Sequence, residues 1–198
     1  PITLNSDIDT KGELLNFKET NELLEALLLS VYTPTKYIKE DCKKKYIEKY
    51  SLKGKHGGDM SFDVQSRGMI VLHRFNLFKR LESSVFSFEE TLRRLLERIE
   101  RTEQLLLKGS GEVDQEDADF DDSGDDGVYI EGKYEIDVRD LRIDDYLEDL
   151  DSDKYIIDKI HKNAKKILDE ERDKKLLVLK ELICKKVQET PYNEGNKK

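Results

Sequence analysis

Apolar residues recur at helical spacing along most of this chain. Positions 23, 24, 27, 28 and 31 predict a first helix over residues 19–31. A second helix is predicted over residues 35–50, after Pro34 has interrupted the first pattern. The periodicity resumes over residues 141–168, and Asp173 is a suitable N-cap for a last helix over residues 174–188. The pattern predicts a chain built mainly from helices.

The longest regular pattern lies in the middle of the chain. Nine apolar residues between positions 71 and 99 follow one another at intervals of three or four, an average spacing of 3.5. This spacing predicts one helix, or two collinear helices, over residues 64–107, roughly 65 Å long at about 1.5 Å per residue. A rod of that length must pack against other helices to be stable. The expected contact row is Val71, Phe75, Phe78, Leu81, Val85, Phe88, Leu92, Leu95 and Ile99.

The excess of negative charge is concentrated in one segment. The formal net charge is −9, from 44 acidic and 35 basic residues. Residues 112–126 hold nine acids and no base, so the rest of the chain carries 35 acids against 35 bases. We expect a disordered acidic loop over residues 112–127, because such a segment cannot bury enough apolar surface to fold. Residues 128–138 alternate enough to predict a short β-hairpin.

Composition agrees with the helical pattern. Charged residues make up 40% of the chain and hydrophobic residues 36%, while Gly, Pro and Trp are scarce, which favours long solvated helices. The predicted fold class is mainly α: an elongated helical bundle with one long central helix. We expect a single domain over residues 1–198, with packed helical parts at 1–111 and 128–190 and a polar tail at 191–198.

Cysteine usage and hydropathy predict a cytoplasmic location. Cys42 and Cys184 lie far apart, with no paired cysteines and no histidine at ligand spacing, so neither a disulfide framework nor a zinc site is indicated. The longest apolar-rich stretch, residues 23–31, is far too short to span a bilayer, and the first residues have no signal-peptide pattern. No membrane partner is expected.

No catalytic residue and no metal site is predicted from the motifs. Asp119, Asp121 and Ser123 have the spacing of a calcium loop, but Ile130 stands where a closing Glu is required, which favours a solvated loop. The glycines at 54–58 and 109–111 lack the phosphate-loop pattern. The histidines are scattered, and Ser83 has no visible base to activate it. The sequence therefore points to binding or structural roles for this segment.

One flank of the central helix is cationic and rich in hydroxyl groups. A turn of 100° per residue gathers these side chains within about 100° of arc and places no acid among them. Arginine, serine and threonine donors can hold a nucleic-acid backbone without reading its bases. The alternative is that the flank pairs with acids of a neighbouring helix, such as residues 144–153. The predicted DNA-binding residues are Arg80, Ser84, Ser87, Thr91, Arg94, Arg98 and Arg101.

The stretch HRFNLFKRLESSVFSFEETLRRLL, residues 73–96, resembles a helical insertion found between the two RecA-like motor lobes of bacterial Swi/Snf-type helicases of superfamily two. Residues 172–183, RDKKLLVLKELI, resemble the helix that precedes the second lobe, and residues 25–38 resemble the region after the first lobe. The tail at 193–198 is similar to the lead-in to the second lobe. The residues that carry the family motif are Arg74, Asn76, Lys79, Arg80, Glu82, Ser83 and Ser84.

The resemblance implies an auxiliary interlobe domain of an ATP-dependent DNA helicase or translocase, bracing the lobes and contacting the DNA backbone. Its expected partners are DNA and the flanking lobes of the same parent chain. ATP and Mg²⁺ belong to the parent, and no cofactor is expected in this segment, which lacks the Walker lysine, the DExx box and the arginine finger. No activity is expected from the segment alone.

Two other hypotheses stay open at the level of sequence. In the first, the chain is a stand-alone coiled-coil module for protein–protein interaction, and its central apolar row closes through self-association. In the second, the acidic residues 112–126 imitate nucleic acid and capture basic partners.

Overall fold

Two long antiparallel helices form the centre of a mainly helical fold. The computed structural model describes residues 8–50, 62–109, 112–115 and 134–189. Its helices are α1 (Phe17–Ala26), α2 (Lys43–Tyr50), α3 (Phe62–Ser83), α4 (Val85–Lys108), α5 (Ile143–Asp169) and α6 (Lys174–Glu189). Its strands are β1 (Glu112–Gln115) and β2 (Tyr134–Asp137). The mainly α fold class is confirmed.

The core lies where α4 and α5 pack along their lengths. Lys154 of α5 contacts Glu103 near the end of α4, whereas His161 contacts Glu89 near its start, so the two helices run antiparallel. Each fully buried Leu or Ile contributes roughly 1.5–3 kcal/mol through removal from water, which makes this the main stabilising contact. The buried row of α4 is Val85, Phe88, Leu92, Leu95, Ile99, Thr102 and Leu106, and that of α5 is Tyr146, Leu150, Asp153, Ile157, Ile160, Ala164 and Ile167.

The predicted contact row is correct on α4 and at Leu81 and Phe78 of α3, but it is wrong at Val71 and Phe75. Val71 is 66% exposed and Phe75 is 56% exposed. The buried face of α3 is formed instead by Met69, His73, Leu77 and Leu81. This side faces inward because α1 and residues 30–37 pack against α3, where Tyr32 stacks on His73 with ring centroids 3.8 Å apart.

The predicted central rod is two helices separated by Ser84. Ser84 has an extended backbone (φ −160°, ψ 130°), and its Oγ accepts a hydrogen bond from the Ser87 N–H as the N-cap of α4. The carbonyls of Glu82 and Ser83 at the end of α3 accept hydrogen bonds from Lys175 Nζ, at 2.6 and 3.0 Å. Both helix ends at the break therefore have side-chain partners. The expectation of one long central helix is wrong.

The first predicted helix ends early because its last residues form a tight turn. Leu29 has a positive φ of 54°, which is strained for a leucine. The buried Asp153 carboxylate of α5 accepts hydrogen bonds from the N–H groups of Leu28 and Ser30 and from the Ser30 hydroxyl, each at 2.7 Å. These three bonds hold the turn against the core, so α1 stops at Ala26 rather than at residue 31.

The second predicted helix is also interrupted. Pro34–Tyr37 form a short 3₁₀ helix, and α2 begins only at Lys43. Between them, Ile38 makes an antiparallel bridge to Leu141, and the Arg142 N–H donates to the Tyr37 carbonyl at 2.8 Å. Extended pairing with residues 140–142 is incompatible with helical dihedrals at Ile38, which explains the correction.

A two-stranded antiparallel sheet covers one end of the core. Glu112 pairs with Asp137 and Gln115 pairs with Tyr134, so β2 pairs with β1. Residues 112–115 of the expected loop therefore form a strand, and residues 128–133 of the predicted hairpin lie outside the described residues. Val113 and Ile136 face each other and are both buried. Residues 116–133, which include the calcium-like spacing, and the tail at 190–198 lie outside the described residues.

The N-terminal segment is fastened to the α5–α6 junction. Arg172 donates to both carboxylate oxygens of Asp9, at 2.7 and 2.6 Å, and both side chains are buried. Burial favours the neutral form of Asp9. The bonds from Arg172 and from three backbone N–H groups outweigh that effect and hold the pKa of Asp9 well below its usual range. Residues 8–14 are thus joined to a point more than 150 positions away.

Candidate nucleic-acid interface

The seven predicted DNA-binding residues do not form one continuous surface. Arg80 lies on α3, before the break, and the other six belong to α4 or to its cap. Because Ser84 is extended, the regular 100° advance is lost there, and Arg80 is not in register with the row on α4. Arg80 is half-buried. The candidate surface is therefore restricted to α4.

Arg94 and Arg101 are the exposed arginines of the predicted flank. The Arg94 side chain is 62% exposed, and its Nε lies 3.1 Å from Glu90 Oε1. Arg101 is exposed, and its Nε donates to the Glu97 carbonyl at 3.3 Å. Seven positions along a helix correspond to about 10 Å, so both guanidiniums are on the same side roughly two turns apart. Two guanidiniums at that separation can contact one polyanion.

The predicted flank of α4 lies closer to acidic side chains than a turn of 100° per residue predicts. Glu90 accepts hydrogen bonds from Arg93 at 2.6 and 3.0 Å and also reaches Arg94. Arg93 and then Arg94 lower the pKa of Glu90 to about 2, although partial burial acts in the opposite direction. Arg94 is therefore partly neutralised by its own helix. A polyanion would compete with a single carboxylate for this guanidinium.

Three of the six acids in residues 144–153, the alternative partners, are engaged elsewhere. Asp145 pairs with Arg142, and Asp149 accepts from Lys36 and from the Tyr37 hydroxyl. Asp153 holds the turn that follows α1. These contacts leave the outer side of α4 without a described ion pair to these three carboxylates.

Arg98 points toward the core and not along the exposed flank. Its guanidinium carbon lies 4.8 Å from the centroid of the Tyr32 ring, which in turn stacks on His73. Burial, and secondly the positive charge of Arg98, lower the pKa of His73 to about 4. His73 is therefore neutral at pH 7. Arg98 belongs to a buried cluster with Tyr32 and His73, which we call the aromatic cluster.

Two of the three hydroxyl groups of the flank bond to the backbone of α4. Ser84 caps α4, and Thr91 Oγ1 donates to the Ser87 carbonyl at 2.8 Å. Ser84, Ser87 and Thr91 are half-buried. The Ser84 and Thr91 hydroxyls support the helix, and Arg94 and Arg101 are the principal candidates for contact with a polyanion.

The family-motif residues gather around the break between α3 and α4. Arg74 Nε donates to the Leu27 carbonyl at 3.1 Å, and its Nη2 donates to the same oxygen. Lys79 pairs with Glu82 at 2.7 Å on the surface, while Asn76 is half-buried. Glu82 and Ser83 contribute carbonyls to Lys175, and Ser84 caps α4. These contacts assign a local structural role to most of the motif.

Two important polar residues were not predicted from the sequence. Asp153 and His73 each occupy a position of an apolar row, between Leu150 and Ile157 in one case and between Met69 and Leu77 in the other. A polar residue inside an apolar row is a signal of a buried hydrogen bond or ring stack. The pair of Asp9 and Arg172 has no comparable signal, because its members are 163 positions apart.

No family model matches this chain, and no curated protein and no solved structure is similar to it at a significant level. The functional interpretation therefore depends on the motif resemblance and on the geometry of the described residues. Among those residues, no group of three or more His, Cys, Asp or Glu side chains is arranged to hold a metal ion. None of the described helices is both long and apolar enough to cross a bilayer.

Proposed function

We propose that this chain is the helical domain between the motor lobes of an ATP-dependent DNA helicase or translocase of the Swi/Snf type. In this role it braces the lobes and contacts the DNA backbone through Arg94 and Arg101. ATP and Mg²⁺ are assigned to the lobes, because this chain has no phosphate-loop pattern and no arginine finger motif.

The observation that carries the proposal is that the three segments with the family resemblance meet in space. Arg74, in the segment 73–96, bonds to the Leu27 carbonyl in the segment 25–38. Lys175, in the segment 172–183, bonds to the carbonyls of Glu82 and Ser83 in the segment 73–96. A chance match of three short stretches would not require them to be contiguous. Their contact supports the interpretation that they form one structural unit.

The DNA contact is supported by exposure and charge on α4. Arg94 and Arg101 lie on one side of a regular helix, and the acids of residues 145, 149 and 153 are occupied by other partners. Guanidiniums in such positions bind phosphates without base specificity. The expected binding is therefore salt-dependent and independent of sequence.

The experiment is titration of a labelled DNA duplex by fluorescence anisotropy at several salt concentrations. The variant carries Arg94→Glu and Arg101→Glu, and the matched control carries Lys44→Glu and Lys159→Glu, exposed lysines on α2 and α5. We expect the arginine variant to bind more weakly, and the slope of log K against log salt to decrease by about 2, since two phosphate contacts are lost. If the variant and the control lose DNA affinity equally, Arg94 and Arg101 do not make the proposed contact.

The alternative function is a stand-alone coiled-coil module. In the described residues the α4 row is buried by α5 of the same chain, so it is not available for self-association. The exposed apolar row of α6 is the observation that favours this alternative. Light scattering distinguishes the two: a monomer at all concentrations favours the interlobe domain, whereas a stable dimer favours the module.

A further inference from the structure

α6 presents an apolar row that the rest of the described chain does not cover. Five large aliphatic side chains, each between 44% and 67% exposed, lie within about 140° of arc on one side of the helix. A helix of 16 residues is about 24 Å long. We call this surface the α6 row: Leu176, Leu179, Leu182, Ile183 and Val187.

The first turn of α6 holds the helix to the described part of the bundle. Asp173 caps the helix by accepting from the Leu176 N–H, and Lys175 bonds to the end of α3. Leu177 and Val178 are half-buried, but every side chain over residues 179–188 is exposed. The helix therefore projects from the bundle and leaves the α6 row accessible along most of its length.

The charge of α6 is opposite to that of the whole protein. The helix carries five lysines and two glutamates, whereas the chain has a formal net charge of −9. Lys180 lies at one edge of the α6 row on a helical wheel, and Lys186 lies on its other side. Lys175 is also on that side, but its ammonium bonds to the end of α3. Apolar side chains between lysines are complementary to an apolar surface between acids.

Three other occupants fit this chemistry poorly. A second α6 would bring like charges together, which disfavours a symmetric helix pair. A nucleic-acid backbone would satisfy the lysines but leave five aliphatic side chains in water. An anionic bilayer would attract α6, but it would repel the acidic residues 112–126 of the same chain. An acidic protein surface satisfies both the lysines and the apolar row.

We propose that α6 is a docking helix for another polypeptide segment, one that presents an apolar helical row flanked by Asp and Glu. This interaction goes beyond the DNA contact on α4 and uses a different surface. Binding buries the α6 row, and the lysines on either side select acidic partners over basic ones.

The test is binding of two synthetic helical peptides to the full chain, measured by fluorescence anisotropy. Both peptides carry leucine at the a and d positions of three heptads, and their flanking positions are glutamate in one and lysine in the other. We expect saturable binding of the acidic peptide, weakened by salt, and at least tenfold weaker binding of the basic peptide.

Variants assign the binding to α6. Leu179→Asp with Ile183→Asp should reduce acidic-peptide binding at least tenfold. Tyr155→Asp with Leu107→Asp, at exposed positions on α5 and α4, is the matched control and should not reduce binding of the acidic peptide. All four positions are exposed, so the fold should persist by circular dichroism. The α6 variant should keep its DNA binding, which separates this inference from the proposed function.

Four outcomes would overturn the docking helix. The first is equal affinity for the two peptides, and the second is absence of binding to either. The third is a dimer in light scattering that the Leu179→Asp, Ile183→Asp variant abolishes, because a second copy would then be the occupant. Capture of the chain by anionic vesicles in place of the acidic peptide would identify a lipid surface and would equally contradict the proposal.

Discussion

At the scale of single residues, polar side chains inside apolar rows have the largest influence on this fold. Asp153 holds the turn that ends α1, although its sequence position is that of a core residue. His73 lies in the buried row of α3 and stacks on the Tyr32 ring. The Arg98 guanidinium also lies over the Tyr32 ring. In each case the polar residue makes a directional contact that defines how two elements pack together. An apolar residue at the same position would not make such a contact.

We expect His73 to make stability depend on pH below neutrality. Its pKa is about 4 in the folded protein, against about 6.5 for an unperturbed histidine. Between these values the unfolded chain binds a proton that the folded protein excludes, so stability falls as the pH decreases from about 6.5 to 4. The full effect is about 3 kcal/mol, since one pKa unit corresponds to about 1.4 kcal/mol.

The measurement is urea unfolding of the wild type and of His73→Phe between pH 7 and pH 5, where most carboxylates stay charged. The variant should lose much of the pH dependence, whatever its stability at pH 7. His161→Phe is the matched control, because that half-buried ring bonds to Glu89 and lies outside the aromatic cluster. Parallel pH profiles for the wild type and His73→Phe would contradict the assignment.

At the scale of elements, periodicity predicts the existence of helices better than their ends. The positions of α5 and α6 agree with the sequence within a few residues, because each has an uninterrupted apolar pattern. The break at Ser84 is not visible in that pattern, since the apolar spacing continues through it. The phase of α3 is set by α1 and Tyr32, which are distant in sequence. Tertiary contacts, and not local spacing, therefore decide which face of α3 is buried.

We expect Ser84→Ala to destabilise the protein by about 1 kcal/mol, since alanine cannot accept the hydrogen bond from the Ser87 N–H. Ser83→Ala is the control and should change stability by less than about 0.5 kcal/mol, because Ser83 is exposed and contributes its main-chain carbonyl. Urea unfolding followed by circular dichroism measures both. A loss of the same size in the two variants would show that the cap is not the reason for the break.

At the scale of the whole molecule, the first described residues are joined to the α5–α6 junction. Asp9 and Asp173 form an antiparallel bridge, and the Thr10 N–H donates to the Arg172 carbonyl at 3.0 Å. Long-range pairs such as Asp9 and Arg172 cannot be predicted from spacing in one sequence. The same limit applies to the candidate DNA surface, where Arg98 turns inward because Tyr32 lies beside it in space. Among the four arginines of the predicted flank, the structure exposes Arg94 and Arg101, and both lie on the uninterrupted helix α4.

We expect Arg172→Met to cost about 3–5 kcal/mol, because it leaves the Asp9 carboxylate buried without its charged partner. Adding Asp9→Asn to that variant should restore part of the loss, since the neutral amide is less costly to bury. The stabilisation by Asp9 is present above about pH 4, the ordinary value for aspartate, and is lost as the pH falls further. Thermal unfolding at pH 7 measures the single and double variants. A double variant less stable than Arg172→Met would contradict this account.

The bond from Lys175 to the end of α3 has a consequence for how the sequence can diverge. Both acceptors are main-chain oxygens, so replacing the side chains of Glu82 or Ser83 leaves them in place. The donor, by contrast, needs a long cationic side chain at one position. During evolution, the hydrogen bonds between α6 and α3 therefore depend on the codon for residue 175. Neutral substitutions at positions 82 and 83 would leave these bonds in place.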